Sequence, residues 1–133
     1  MASLRAFLNP VAAENKEVII SERFLENGKP VPFTIRPITE TENKALLRKH
    51  SKKDKKGVES FDRVAYNHEL ATIAVVDPPL ENAELQKRYG VLGAEKLLEK
   101  MLLIGEYQNL LEAALELSGI DKDINEEIEK AKN

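Results

Sequence analysis

Apolar residues alternate along the early part of this chain and switch to helical spacing near residue 39. Val31, Phe33 and Ile35 alternate with Pro32, Thr34 and Arg36, the pattern of a strand with one buried face and one wet face. Upstream, Glu17-Val18-Ile19-Ile20 is β-branched, and Phe24 follows. Glu26-Asn27-Gly28-Lys29 lies between the two runs, and Asn-Gly tolerates the positive φ that a tight hairpin turn demands. Residues 17–38 therefore read as a β-hairpin. Pro30, Pro32 and Pro37 cannot donate ladder hydrogen bonds, so the return strand is expected at the edge of a small sheet.

Thr39, with Glu42 three residues on, has the capping-box pattern and predicts a helix over 40–49 carrying Ala45, Leu46 and Leu47. Periodicity stops over 50–60, where Lys52, Lys53, Lys55 and Lys56 surround Asp54 and Gly57 follows; this reads as an exposed, mobile loop. Phe61, Val64, Ala65, His68, Ala71, Thr72 and Val75 fall at helical spacing. Leu70, Ile73, Ala74 and Val76 widen that face, so a central, mostly buried helix is expected over 61–76, ended by Asp77-Pro78-Pro79. A short helix over 82–89 stops at Gly90. The next, over 93–103, has Ala94, Leu97, Leu98 and Met101 on one side. Its apolar phase fails at Ile104-Gly105, so a kink or a new start is expected there. The helix over 105–117 carries Tyr107, Leu110, Leu111, Ala114 and Leu115, and Ser118-Gly119 closes it. Asp123 can cap a final polar helix through Lys132. At the other end, Leu4, Phe7 and Leu8 precede Asn9-Pro10 in an arm expected to fold back on the body.

No internal repeat and no Gly/Ser- or Pro-rich linker divides the 133 residues, so 1–133 reads as a single domain. It comprises an arm over 1–16, the hairpin over 17–38 and a helical body over 39–133 with the mobile loop 50–60. The fold class is α+β, mostly α: a hairpin or small antiparallel sheet on a compact bundle of about five or six helices. Composition agrees, because aromatics are only 5% and Trp is absent, leaving an aliphatic core that favours helices.

Charge and chemistry narrow the function. The net charge is -3, from 20 basic and 23 acidic residues, without the basic excess that phosphate neutralisation favours. There is no cysteine, hence no disulfide framework or thiolate site. No apolar run reaches the roughly 18 residues of a membrane span. The N-terminus is too short and interrupted for a signal peptide, so a cytoplasmic protein is expected. His50 and His68 lack ligand spacing, and Glu81/Glu84 and Glu126/Glu127 read as solvated helix faces. No serine sits in a nucleophile elbow, and the six glycines form no phosphate-binding loop. No catalytic, metal-binding or cofactor-binding residue is assigned, and no cofactor is expected. The lysines of 52–56 offer an alternative, a nucleic-acid-associated regulator, but they lack stacking aromatics and are diluted by Glu59 and Asp62.

What remains is partner binding. Arg23 can present a planar guanidinium to an acidic partner or pair with a carboxylate of its own chain. In a regular strand Phe24 would point the opposite way, into the core beneath the hairpin. Glu106 suits the positive end of a helix, and Tyr107 would set its ring inward with its hydroxyl near the rim. The hairpin with Arg23, Phe24 and Arg36 is a candidate partner surface; Tyr107 reads as structural from the residues alone, and a groove beside it joins that surface only through the family resemblance that the following motifs carry.

Several motifs occur in a recognisable order: Ser21-x-Arg23-Phe24; Gly28-x-Pro30-Val31-Pro32-Phe33-x-Ile35-Arg36; Ile38-Thr39-x-x-Glu42; Tyr66; Val76-Asp77-Pro78-Pro79-Leu80. Ala83-Glu84-Leu85-Gln86, Tyr89-Gly90-Val91, Met101-Leu102 and Gly105-Glu106-Tyr107 with Leu110 follow. The chain resembles the XkdN-like tail assembly chaperones of tailed phages and prophages over nearly its whole length. The resemblance implies a non-enzymatic protein that binds the tape-measure protein while the tail tube polymerises around it. Tail tube protein is a second candidate partner, and a homo-oligomer is a further option. Ala131-Lys132-Asn133 is compatible with a slippery heptamer in the gene. Because such genes in many phages yield a short and a frameshifted long form, the resemblance implies that this chain is the short form.

Overall fold

The structure, a computed structural model, describes residues 3–120. The polar helix expected after Asp123 and the terminal Ala131-Lys132-Asn133 lie outside the described residues. Six helices and small antiparallel sheets make up the described chain, an α+β arrangement.

The chain opens with α1 (Leu4–Leu8), capped by Ser3, whose hydroxyl accepts from the Arg5 amide at 3.2 Å. Pro10 cannot continue a helix, and the run to residue 15 is irregular. Every residue from 3 to 17 is exposed, so the arm does not fold back on the core as expected.

Strand β1 (Lys16–Val18) leads to β2 (Leu25–Glu26), which turns through Asn27 (φ 53°) and Gly28 (φ 77°) into β3 (Lys29–Pro30). Positive φ at both turn residues is the geometry that matches strand twist, as the Asn-Gly pair predicts. β4 (Phe33–Ile35) then returns antiparallel to β1, with Val18 opposite Phe33 and Lys16 opposite Ile35. The two arms of the hairpin are unequal: residues 19–24 on one side face only 31–32 on the other. The longer side bulges inward and buries Ile20 and Ser21.

After β4 comes α2 (Glu40–Lys49), where Thr39 and Glu42 exchange the reciprocal bonds of a capping box at 3.2 and 3.1 Å. The lysine-rich segment is not irregular: β5 (Ser51–Lys53) pairs with β6 (Glu59–Phe61) in a fully exposed hairpin. The Asp54 carboxylate makes this turn, accepting from the Lys56 and Val58 amides at 2.8 and 2.9 Å. Phe61 thus belongs to a strand, and α3 (Arg63–Ala74) begins after an Asp62 cap. Tyr66, Leu70, Ala71, Thr72 and Ala74 of α3 are buried, whereas Val64 is exposed.

Residues 75 and 76, expected in that helix, instead form β7 (Val75–Asp77) against β4. β4 is consequently the middle of a three-stranded sheet in the order β1-β4-β7, not an edge. The three prolines permit this because Pro30, Pro32 and Pro37 all fall outside Phe33–Ile35 and spare its ladder. The Arg36 amide extends the pairing to the Ala74 carbonyl at 2.8 Å.

The remaining helices are α4 (Ala83–Arg88), α5 (Ala94–Met101) and α6 (Ile104–Leu117); the new start is present as expected, but the break falls at Leu102-Leu103, before Ile104-Gly105, which belong to α6. Buried Gln86 fixes the entry to α5, donating to the Leu80 carbonyl at 2.8 Å and accepting from the Gly93 amide at 3.0 Å. Ile20, Phe33, Ile35, Ala71, Leu97 and Leu110 form one core cluster under the sheet. Leu46, Tyr66, Leu70, Ala74, Ala114 and Leu115 form another between α2, α3 and α6. Leu111 packs against both.

Candidate partner-docking site

The inward bulge of residues 19–24 brings Ser21 and Arg23 to the break between α5 and α6. Ser21 Oγ donates to Glu106 Oε2 and accepts from the Arg23 amide at 3.0 Å. Arg23 Nε donates to Glu106 Oε2 at 2.9 Å, and its Nη2 donates to Glu106 Oε1 at 2.5 Å and to the Met101 carbonyl at 2.8 Å. Glu106 occupies the third position of α6 and folds back to accept from the Leu103 amide at 2.8 Å. A forked guanidinium on a carboxylate that also caps a helix is a strong, directional arrangement. The Arg23 bonds hold the Glu106 carboxyl down at about 2 against the opposing effect of burial, helped by the Leu103 amide and Ser21.

In this structure the Arg23 guanidinium is paired with a carboxylate of its own chain. The irregular backbone also places Arg23 over the Phe24 ring, 5.3 Å from its centroid, so the two do not point to opposite faces. Phe24 packs tilted on Phe33 at 6.0 Å, against the sheet core. Arg36 is engaged separately, donating to both Glu42 oxygens at 2.9 and 2.6 Å. That pair pulls the Glu42 carboxyl down to about 2 and locks the corner between β4 and α2.

Tyr107 follows the clasp directly and stacks on His68 of α3, with ring centroids 4.5 Å apart. The rings floor a groove of about 380 Å³ walled by Leu98, Leu102, Leu103, Ile104 and Gln108. Glu99 stands at its side, 3.4 Å from His68 Nδ1. The Tyr107 hydroxyl is not at the rim as expected; it is buried without a hydrogen-bond partner. Burial and the nearby Glu99 charge push this phenol up to about 12. Leu98, Leu102, Leu103 and Ile104 give the groove a mainly aliphatic lining beside His68, Glu99 and Gln108.

Three of the four candidate residues thus gather around one place: Arg23 and Phe24 above the α5–α6 break, and Tyr107 just beyond it. Sequence reasoning missed the groove walls at Leu102, Leu103 and Ile104. The four successive apolar residues Met101-Leu102-Leu103-Ile104 carried the information, because such a run at a helix break cannot face one core throughout. His50 bonds Glu69 at 3.2 Å, beside Lys49 at 2.6 Å. No cluster of three His, Asp or Glu side chains among the described residues could hold a metal ion. No helix among them is long and apolar enough to cross a membrane.

Residues 4–132 match the family model for the phage XkdN-like tail assembly chaperone protein. The chain belongs to that family. It is similar to the Bacillus subtilis (strain 168) phage-like element PBSX protein XkdN, 31% identical over 130 residues, covering 92% of this chain and 87% of the relative. It is also similar to the uncharacterized protein YqbN of the same organism, 34% identical with the same coverage. The crystal structure of the protein YqbN superposes with a TM-score of 0.73 at 28% identity, covering 87% of this chain and 96% of the other. In this tail assembly chaperone, then, the clasp and the groove lie on a fold shared with a solved relative.

Proposed function

We propose that this tail assembly chaperone binds the tape-measure protein during tail morphogenesis, in the cytoplasm of the host, and transforms no substrate. The groove beside Tyr107 carries this reading: its walls are aliphatic, and Leu103 and Ile104 are exposed at its mouth. An amphipathic helix docks in such a groove through apolar anchors spaced three and four residues apart. A long helical tape measure offers that stripe repeatedly, and covering it keeps the polypeptide from aggregating before the tube encloses it. The Arg23–Glu106 clasp holds the groove-forming helix break rigid, which lowers the entropy lost on docking.

Co-expression with the tape-measure protein from the same phage or prophage, followed by pull-down, tests the proposal. The wild-type chain is expected to retain the tape measure, and Ile104→Asp to weaken capture at least about tenfold. Ile104 is exposed, so this variant keeps its fold. Failure of the wild-type chain to retain the tape measure would count against the function. Retention by Ile104→Asp at wild-type strength would count against the groove.

A further inference from the structure

Among the described residues, an arm and a groove each leave apolar side chains uncovered. Leu4, Phe7 and Leu8 sit three and four residues apart on one face of α1, with exposures of 72%, 72% and 68%. Val11 follows at 97%. A helix of five residues is not stable alone in water, because nucleation costs more than so few hydrogen bonds return. Such a turn persists when its apolar face finds a surface to cover it. The second surface is the groove beside Tyr107, where Leu103 and Ile104 are 62% and 80% exposed.

We propose that the α1 arm of one molecule docks, through Phe7 and Leu8, into the Tyr107–Ile104 groove of a second copy of this chain. The surfaces match in kind: a short apolar stripe against an aliphatic channel of about 380 Å³. They also match in charge. Arg5 is the only charged residue between 3 and 13, and Glu99 is the only acidic residue lining the groove. The Glu99 side chain is 56% exposed, leaving it accessible beside its His68 contact. The tether over residues 9–15 can stretch roughly 25 Å, long enough to reach across a neighbour's surface.

A knob on one face and its socket on another make a head-to-tail contact. Each molecule can then give its arm to one neighbour and take the arm of another, so assembly continues into a ring or an open array. The interface is small, and association is therefore concentration-dependent. A tape-measure helix and a neighbour's arm would compete for the groove. The present proposal concerns the chaperone alone, and its test contains no tape measure, so either reading can fail without the other.

Sedimentation velocity of the full chain across a concentration series provides the test. The wild-type mass is expected to rise with concentration beyond a dimer. Phe7→Asp removes the knob and Ile104→Asp blocks the socket; each alone is expected to remain monomeric. Both positions are exposed, and circular dichroism checks that each variant is folded. Mixing the two variants is the decisive arm. The Ile104→Asp chain still has its arm and the Phe7→Asp chain still has its groove, so the mixture should form a dimer and stop there. Arg5→Glu and Glu99→Arg should each weaken association about tenfold, and combining them in one chain should restore it. A wild-type chain that is monomeric at every concentration overturns the proposal, whether the arm is free or docked on its own body. Growth in mass that ignores both aspartate variants also overturns it, as does a mixture that stays monomeric.

Discussion

Glu106 gathers a serine hydroxyl, a guanidinium and a backbone amide onto one carboxylate, and this has a measurable acid signature. Its carboxyl titrates at about 2 in the folded chain against an ordinary 4.5. On acidification the unfolded chain takes up this proton first, so the contribution to stability is full above about 4.5 and is lost as the pH falls through about 2. Glu42, held by Arg36, behaves in the same sense over the same window. Glu106→Gln is expected to lower stability near neutral pH and to flatten its decline between about 4.5 and 2, leaving the parts of Glu42 and of Glu69, whose carboxyl is also lowered. Urea midpoints measured across that range check it, and an unchanged acid slope would sink the assignment. Arg23 and Glu106 each stood out in the sequence, but their pairing did not. They are 83 positions apart, and the bulge of residues 19–24 that joins them arises only from the unequal lengths of the two hairpin arms.

Among the elements, those specified by neighbouring residues were legible. α2 runs over 40–49 as its capping box implies, and the break between α5 and α6 follows from the lost apolar phase. Thr39→Ala removes one half of the box and is expected to cost about 1 kcal/mol, read from urea unfolding at neutral pH. Elements specified by distant partners were not legible. Val75 and Val76 continue the helical stripe of α3 perfectly well; what converts them to strand is the open edge of β4, which the sequence does not display. The same pairing moved β4 from edge to centre. In the β5–β6 hairpin no apolar alternation exists to betray strands, and the Asp54 side chain supplies the turn.

For the molecule as a whole, α3 and α6 each contribute buried residues to both core clusters, so the helical layer and the sheet share their packing. Leu110 is fully buried on α6, and Leu110→Ala is expected to cost about 2–5 kcal/mol through lost contacts and a residual cavity. Phe7→Ser, on the exposed arm, should stay within about 0.5 kcal/mol when unfolding is followed in dilute solution. A larger loss would mean that the arm packs on its own body after all. The family was legible from the order of motifs along the chain. A groove beside Tyr107 was anticipated as a place, but its walls at Leu102, Leu103 and Ile104 were not, because which residues of an apolar run leave the core depends on where the helix breaks.

The clasp also bears on how the chain is made. Residues 21 and 23 leave the ribosome long before residue 106 exists. At ordinary translation speeds the missing 83 residues take roughly 4 to 17 s to add, an interval in which a hairpin forms in microseconds and then waits. Phe24, Phe33 and Ile35 emerge without Leu97 and Leu110 to cover them. A member of a tail assembly chaperone family thus passes through a bare stage of its own.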